Sequence, residues 1–336
     1  MADTLTTGGT MLGAARCKEF REKEGRKPAL ENLRRKHITG LIVIGGDGSM
    51  QGAKALAADA AEDNSTLHTI ALPGTIDNDL ACTDMSLGAA SAVGAVMHEI
   101  DSMVAPARAL RRVFVCEIMG RFSGFLTIEA GLAVGAEALL LPEELVVVRN
   151  GRGEQTDWEK FVDGNATAQR VLAELEVVAD RLERTFASGK RHAFVLFSEG
   201  IRYLTAKNKG LCITAEVVAN SLQALIDQWP HAQKPDVRPQ VIGYPMRGGS
   251  PSRFDMHLGT MLGETAVHEL LKGTTNKMVG WSESGQCTTL SDFDDVVRLS
   301  NRSPEVKFRD RKAWQRTLEL QRKLVAPLPK RSPPVP

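Results

Sequence analysis

Leu41-Ile42-Val43-Ile44-Gly45-Gly46-Asp47-Gly48-Ser49 decides the fold class of this chain. Its first four residues are all apolar with no polar alternation, which suits a strand buried on both faces of a parallel sheet. Two glycines then turn the chain, and residues 49–61 show a helical pattern. The same order recurs downstream. Apolar runs at 69–72, 113–118, 138–141, 194–197 and 241–242 end at Pro73-Gly74, Met119-Gly120, Pro142, Ser198-Glu199-Gly200 and Gly243. Helical patterns fill 123–134, 167–187, 214–228 and 254–271. Strand, turn and helix in repetition predict an α/β protein with doubly wound, Rossmann-like lobes and parallel-rich sheets. Ligands of such sheets bind beyond the carboxyl ends of the strands, so these polar turns are the candidate site.

The chain has 336 residues, 43% hydrophobic and 25% charged, enough for two domains with a sizeable core. Forty-two basic against 41 acidic residues give a net charge of +1, which argues against a nucleic-acid partner held by a basic surface. Cysteines at 17, 82, 116, 212 and 287 form no CxxC pair and read as the reduced thiols of a cytoplasmic protein. Residues 132–148 come nearest to a membrane span but carry Glu137, Glu143 and Glu144, so no membrane partner is expected. The first ten residues lack a basic start ahead of an apolar core, so no secretory signal is expected. The polar stretch 150–163 marks a crossover, dividing a lobe over 1–150 from one over 151–323. A tail over 324–336 holds five of the 15 prolines and is expected to be extended or disordered. The charged stretch 18–27 reads as a solvated helix face.

Four turns carry chemistry. Gly46-Asp47-Gly48-Ser49 offers glycines that let a backbone approach phosphate, a helix start with free N–H donors, and a carboxylate suited to Mg²⁺. The same residues also fit a tight turn with Asp47 as helix cap, or a loose dinucleotide fingerprint through Gly52. Pro73-Gly74-Thr75-Ile76-Asp77-Asn78-Asp79 places two carboxylates two residues apart. In an extended segment they face the same way, one to take a proton and the other to help place a metal; an Asx-turn loop is the alternative. Arg121, just past Met119-Gly120, can neutralise a transferring phosphoryl group or form a surface ion pair. Arg247-Gly248-Gly249-Ser250-Pro251 presents an arginine suited to a phosphate, or an ordinary loop. Arg112 and Arg238 stand at or before strand starts and read, from position alone, as solvated.

Taken together in this order, with Gly8-Gly9-Thr10, Leu12-Gly13-Ala14-Ala15-Arg16 and the Ser198-Glu199-Gly200 turn, these segments resemble the 6-phosphofructokinase family over residues 8 to about 273. The resemblance implies transfer of the γ-phosphoryl of ATP, with Mg²⁺, to the 1-hydroxyl of fructose 6-phosphate. It makes Asp77 the base, sets Thr75 beside the transferring phosphoryl, gives Asp79 a part in organising the metal, and lets Arg121 stabilise the transition state. Ile76, Met119, Gly120, Glu199, Tyr244 and Arg247 would line the sugar phosphate. Asp47 would hold Mg²⁺, with Gly46, Gly48, Ser49, Arg16 and Cys17 against the nucleotide. Arg112 and Arg238 match arginines that reach a neighbouring subunit's 6-phosphate, which implies a homo-oligomer, a tetramer by family habit. Residues 1–150 would form the nucleotide lobe and 151–323 the sugar-phosphate lobe.

The resemblance also implies departures. Pyrophosphate-using relatives tend to carry Asp at position 48 and Lys at position 74; glycine at both favours ATP. Tyr244 replaces a histidine, keeping a hydrogen bond but no positive charge. Glu137, Lys190 and His192 fit the effector site, while Val104 and Ser188 stand where basic residues are common. The match begins after the family's opening strand, glycine turn and helix, so an incomplete nucleotide pocket is expected, with a catalytically impaired subunit or pyrophosphate use as alternatives.

Overall fold

The computed structural model describes residues 6–155, 157–207 and 210–325. Its elements run α1 (Lys23–Arg35), β1 (Gly40–Gly45), α2 (Asp47–Glu62), β2 (His68–Pro73), α3 (Ala89–Leu110), β3 (Arg112–Ile118), α4 (Phe125–Val134), β4 (Ala138–Leu140) and α5 (Pro142–Leu145). They continue as α6 (Gly164–Ala187), β5 (Ala193–Ser198), α7 (Glu199–Thr205), α8 (Ala215–Ile226), β6 (Asp236–Ile242), α9 (Pro245–Gly248) and α10 (Arg253–Leu271). Last come β7 (Lys277–Ser282), β8 (Cys287–Asp292), α11 (Phe293–Ser300), α12 (Pro304–Asp310) and α13 (Lys312–Val325). The chain divides into two units. One holds residues up to Gly94 with Tyr244–Arg302; the other holds Ala95–Gly243 and everything from Ser303. The expected boundary at residue 150 therefore falls inside the second unit.

In the first unit the strand order is β1-β2-β7-β8. β1, β2 and β7 are parallel, and β8 returns antiparallel to β7. Strand alternation explains the unbroken apolar run of β2. Ile70 and Leu72 pack on Leu258, Leu262 and Ala266 of α10, while Ala71, on the other face, packs with Met50 and Ala53 of α2. Among the described residues β1 pairs with β2 alone and is an edge strand, and Ile44 is 54% exposed rather than buried on both faces.

The second unit carries a wholly parallel sheet, β4-β5-β3-β6. Val113, Val115, Val195 and Phe197 point to one face, where α6 and α8 supply Val171, Leu175, Leu182, Val218 and Leu222. On the opposite face Phe114 and Phe194 stack with ring centroids 6.1 Å apart. The C-terminal helices pack over α4 and α5. Leu318 meets Ile128 and Leu141, and Gln321 Nε2 donates to the carbonyl of Ala136 at 3.0 Å.

Several expectations need correction. The stretch 150–163 is no crossover: it forms two short 3₁₀ turns inside the second unit, and Trp158 is buried against Val146, Val162 and Leu204. Within 18–27, Arg26 is buried, not solvated, and its Nε lies 2.6 Å from Asp59 Oδ2. β6 is seven residues long and includes Pro239, which an edge strand tolerates because its N–H is not needed by a neighbour. β7 and β8 have mixed polarity because they close one side of a sheet, so no apolar run announces them. The proposed tail begins within α13, and residues 326–336 lie outside the described residues. No helix of the described residues is long and apolar enough to cross a membrane.

Candidate active site

In the first unit α2 starts at Asp47, two residues earlier than expected, with Gly46 as N-cap. The Gly46 carbonyl accepts from Ser49 and Met50 N–H, at 3.0 and 3.2 Å. Asp47 makes no side-chain cap; it sits in the first turn, where the helix end carries positive potential. Ser49 Oγ folds back toward Gly45, where a Cβ would lie 2.4 Å away. Gly48 faces open space, with nothing within 4 Å of its Cβ position. Gly74 is the opposite case: a Cβ there would meet Ile44 Cγ2 at 2.8 Å and Gly45 N at 3.0 Å, so packing alone requires glycine.

The Thr75–Asp79 loop is not extended. It bends at Ile76 and Asp77, and Asn78 adopts a left-handed φ of 46°. Strand alternation therefore does not aim its two carboxylates. The loop is held instead by two residues that sequence reasoning missed. Buried Asn78 accepts Ser86 N–H through Oδ1 at 2.9 Å and donates to the Asp84 carbonyl at 3.2 Å. Ser86 Oγ donates to the Thr75 carbonyl at 2.7 Å. Thr75 Oγ1 accepts the Asp77 N–H at 3.2 Å, an ST-turn that shapes the loop from within.

Arg247 is exposed on α9, anchored by buried Met246 and by its own N–H to the Tyr244 carbonyl at 2.9 Å. Tyr244 is 82% exposed. Gly8 lies so close to this turn that a Cβ would stand 1.9 Å from the Gly249 carbonyl oxygen, so glycine is required there, while Gly9 takes a left-handed φ of 83°. Arg16 and Cys17 are exposed in the irregular segment before α1, and Cys17 Sγ donates to Glu19 at 3.3 Å.

In the second unit β3 delivers Met119-Gly120-Arg121 past its carboxyl end. Gly120 has φ 146° and Arg121 φ 53°. Both N–H groups of this turn donate to one oxygen, Oε1 of Glu199, at 3.1 and 2.8 Å. Glu199 thus shapes the arginine turn through one carboxylate oxygen. Gly200 is required there, since a Cβ would sit 2.3 Å from the Arg121 carbonyl oxygen. Behind this turn Glu117 is buried against Arg202 Nε at 3.3 Å. Burial pushes the Glu117 carboxyl above its ordinary range, and Arg202 opposes that.

Arg112 and Arg238 come together. β3 and β6 run side by side, and Asp236 Oδ2 accepts from Nε of Arg112 at 3.2 Å and of Arg238 at 2.7 Å. Asp236, not anticipated from sequence, gathers both arginines at a sheet edge. Of the effector candidates, Lys190 pairs with Glu137, and Glu137 Oε2 accepts the Phe194 N–H at 2.8 Å. Burial, with Lys190 and Arg108 nearby, lowers the pKa of His192. No group of three His, Cys, Asp or Glu residues able to hold a metal occurs among the described residues. A divalent ion here would share its shell with phosphates and water, as Mg²⁺ does.

A phosphofructokinase family model matches residues 1–270, more than three quarters of the chain. The chain belongs to the phosphofructokinase family. Within that family it is 35% identical over 302 residues to an ATP-dependent 6-phosphofructokinase of Staphylococcus epidermidis, covering 90% of this chain and 78% of the relative. Its identity to the Staphylococcus aureus enzyme of the same name is 36% over 296 residues, 88% of this chain and 76% of that one. Phosphofructokinase from Saccharomyces cerevisiae superposes with a TM-score of 0.71 at 26% identity, covering 94% of this chain but 39% of that longer one. The family's parallel-rich α/β fold is the one predicted from the strand–turn–helix order.

Proposed function

We propose that this chain transfers the γ-phosphoryl group of ATP to the 1-hydroxyl of fructose 6-phosphate, giving fructose 1,6-bisphosphate in glycolysis. The observation that carries the reading is a family match from residue 1 to 270 that includes the braced Thr75–Asp79 loop. Asp77 takes the hydroxyl proton as the acceptor oxygen attacks. Thr75 lies beside the transferring phosphoryl, and Arg121 neutralises its developing charge. Ile76, Met119, Gly120, Tyr244, Arg247 and Oε2 of Glu199 orient the sugar phosphate. Gly46, Gly48, Ser49, Arg16 and Cys17 contact the nucleotide. Asp47, aided by Asp79, would hold Mg²⁺, which supplies charge neutralisation between the phosphates. One or two carboxylates plus substrate phosphates suit that ion.

ATP is favoured over pyrophosphate by the names of the relatives and by the open space at Gly48, where an acidic side chain would intrude on a nucleotide. The protein is cytoplasmic in this reading and works as a homo-oligomer, a tetramer, in which Arg112 and Arg238 reach a neighbour's acceptor phosphate. The exposed edge strand β6, with Val241 at 60% exposure, supports that placement.

The test is a coupled assay with fructose 6-phosphate, Mg²⁺ and either ATP or pyrophosphate. Asp77→Ser is expected to cut turnover by about 10²–10⁴-fold with the fold intact, the range of a lost general base. Unchanged turnover would refute the assignment, and turnover with pyrophosphate alone would refute the donor.

A further inference from the structure

Asp255 stands outside every motif described above and is 7% exposed at the start of α10. A carboxylate so buried is costly unless its oxygens are satisfied. Here they are satisfied by another helix. Oδ1 accepts the Gly88 N–H at 2.8 Å, and Oδ2 accepts the Ser91 N–H at 2.7 Å, the Ser91 hydroxyl, and the Ser252 hydroxyl at 3.3 Å. Gly88 and Ser91 frame the first turn of α3. Asp255 is not needed to cap α10, because Ser252 Oγ already accepts the Asp255 N–H at 3.1 Å. Ser91 Oγ in turn accepts the Ser252 N–H at 2.9 Å, which closes the clasp. One charge therefore serves the positive ends of two helices.

Each of those helix starts continues directly from a functional turn. Ahead of α3 lie Ser86, which holds the Thr75 carbonyl and Asn78, and Leu87, whose N–H donates to the Pro73 carbonyl at 2.7 Å. Ahead of α10 lies the turn that carries Arg247. We propose that Asp255 is a positioning residue, fixing the Arg247 turn against the Thr75–Asp79 loop so that the grip on the acceptor and the base that deprotonates it keep one geometry. The inference rests on the phosphofructokinase reading for its substrates, and on the clasp alone for its mechanics.

Two measurements on the full chain test it. Amide hydrogen exchange in Asp255→Asn is expected to rise in peptides covering 74–88 as well as in 244–256, although the substitution lies more than 160 residues from the first. Exchange that rises only within α10 overturns the proposal, whether or not the chain is active. In kinetics, Asp255→Asn is expected to raise KM for fructose 6-phosphate about tenfold while KM for ATP moves less than about twofold. In an Arg247→Ala background the same substitution should add less than about twofold, because both act on one interaction. Full multiplication of the two effects, or equal rises in both KM values, overturns it. Should Asp255→Asn fold poorly, Ser91→Ala removes only the hydroxyl from the clasp and should shift the same two readouts in the same direction; no shift counts against the proposal. An inactive wild type would refute the proposed function and leave the exchange result to decide this one.

Discussion

Glu143→Gln should convert a pH-sensitive protein into a flatter one. Glu143 is 4% exposed on α5. Its Oε1 accepts the Gly124 N–H at 2.6 Å, at the N-terminus of α4, while Oε2 is buried with no partner. Burial is the main cause that pushes the carboxyl up from 4.5 to about 7; the Gly124 N–H and Lys307 oppose it without winning. The folded state thus binds a proton more tightly than the unfolded chain. Stability from that proton is fully present below pH 4.5 and is lost as pH rises through about 7. The rise from 4.5 to about 7 corresponds to about 3 kcal/mol of destabilisation above pH 8. Glutamine keeps the acceptor for Gly124 and carries no charge. Urea unfolding should be followed by tryptophan fluorescence, since Trp158, Trp229 and Trp314 all lie in the second unit. Wild type and variant should coincide near pH 4.5 and separate progressively to pH 8, the variant being the more stable. Parallel profiles from pH 5 to 8 would refute the argument that the ionised carboxylate is trapped in an apolar site.

Two further predictions concern packing. Arg26→Met leaves Asp59 buried and unpaired, and should cost about 3–5 kcal/mol in chemical denaturation; adding Asp59→Leu should recover most of it. At the phosphate turns, Gly48→Asp should leave the melting temperature nearly unchanged while weakening ATP use in the coupled assay. Gly74→Ala should lower the melting temperature by several degrees, because its Cβ meets Ile44 and the Gly45 backbone. A reversed order of the two melting shifts would contradict the contact geometry.

What could be read from the chain in advance follows from the range of the forces involved. β1 to β5 were legible because each is a short apolar run closed by a glycine or proline turn, a local signal. β7 and β8 were not, because an edge hairpin carries mixed polarity that resembles a loop. The same division holds at the site. Asp77, Arg121, Glu199 and Arg247 stand out as candidates because their motifs are contiguous. Asn78 is contiguous too, but nothing in the sequence says that its side chain, rather than those of the flanking aspartates, turns inward to hold Ser86. Asp255 reaches Ser91 across 164 positions and Asp236 reaches Arg112 across 124, and no local pattern encodes such a bond. Glu199 was read as a ligand acceptor; that one of its oxygens shapes the arginine turn depends on backbone conformation at Gly120 and Arg121, which only the folded chain shows.

The pairing of β2 with β7 also sets an order of events during synthesis. Ile70 lies beside Lys277, so the sheet that begins first in the chain cannot be completed until the strand at 277–282 has left the ribosome. All strands of the other sheet are available once Ile242 has been made. At about 5–20 residues per second β7 follows the last strand of the other sheet by about 2–8 s. Through that interval β1 and β2 are apolar strands with no β7 beside them, and the nascent chain is most exposed to mispairing and to chaperones at the end that was translated first.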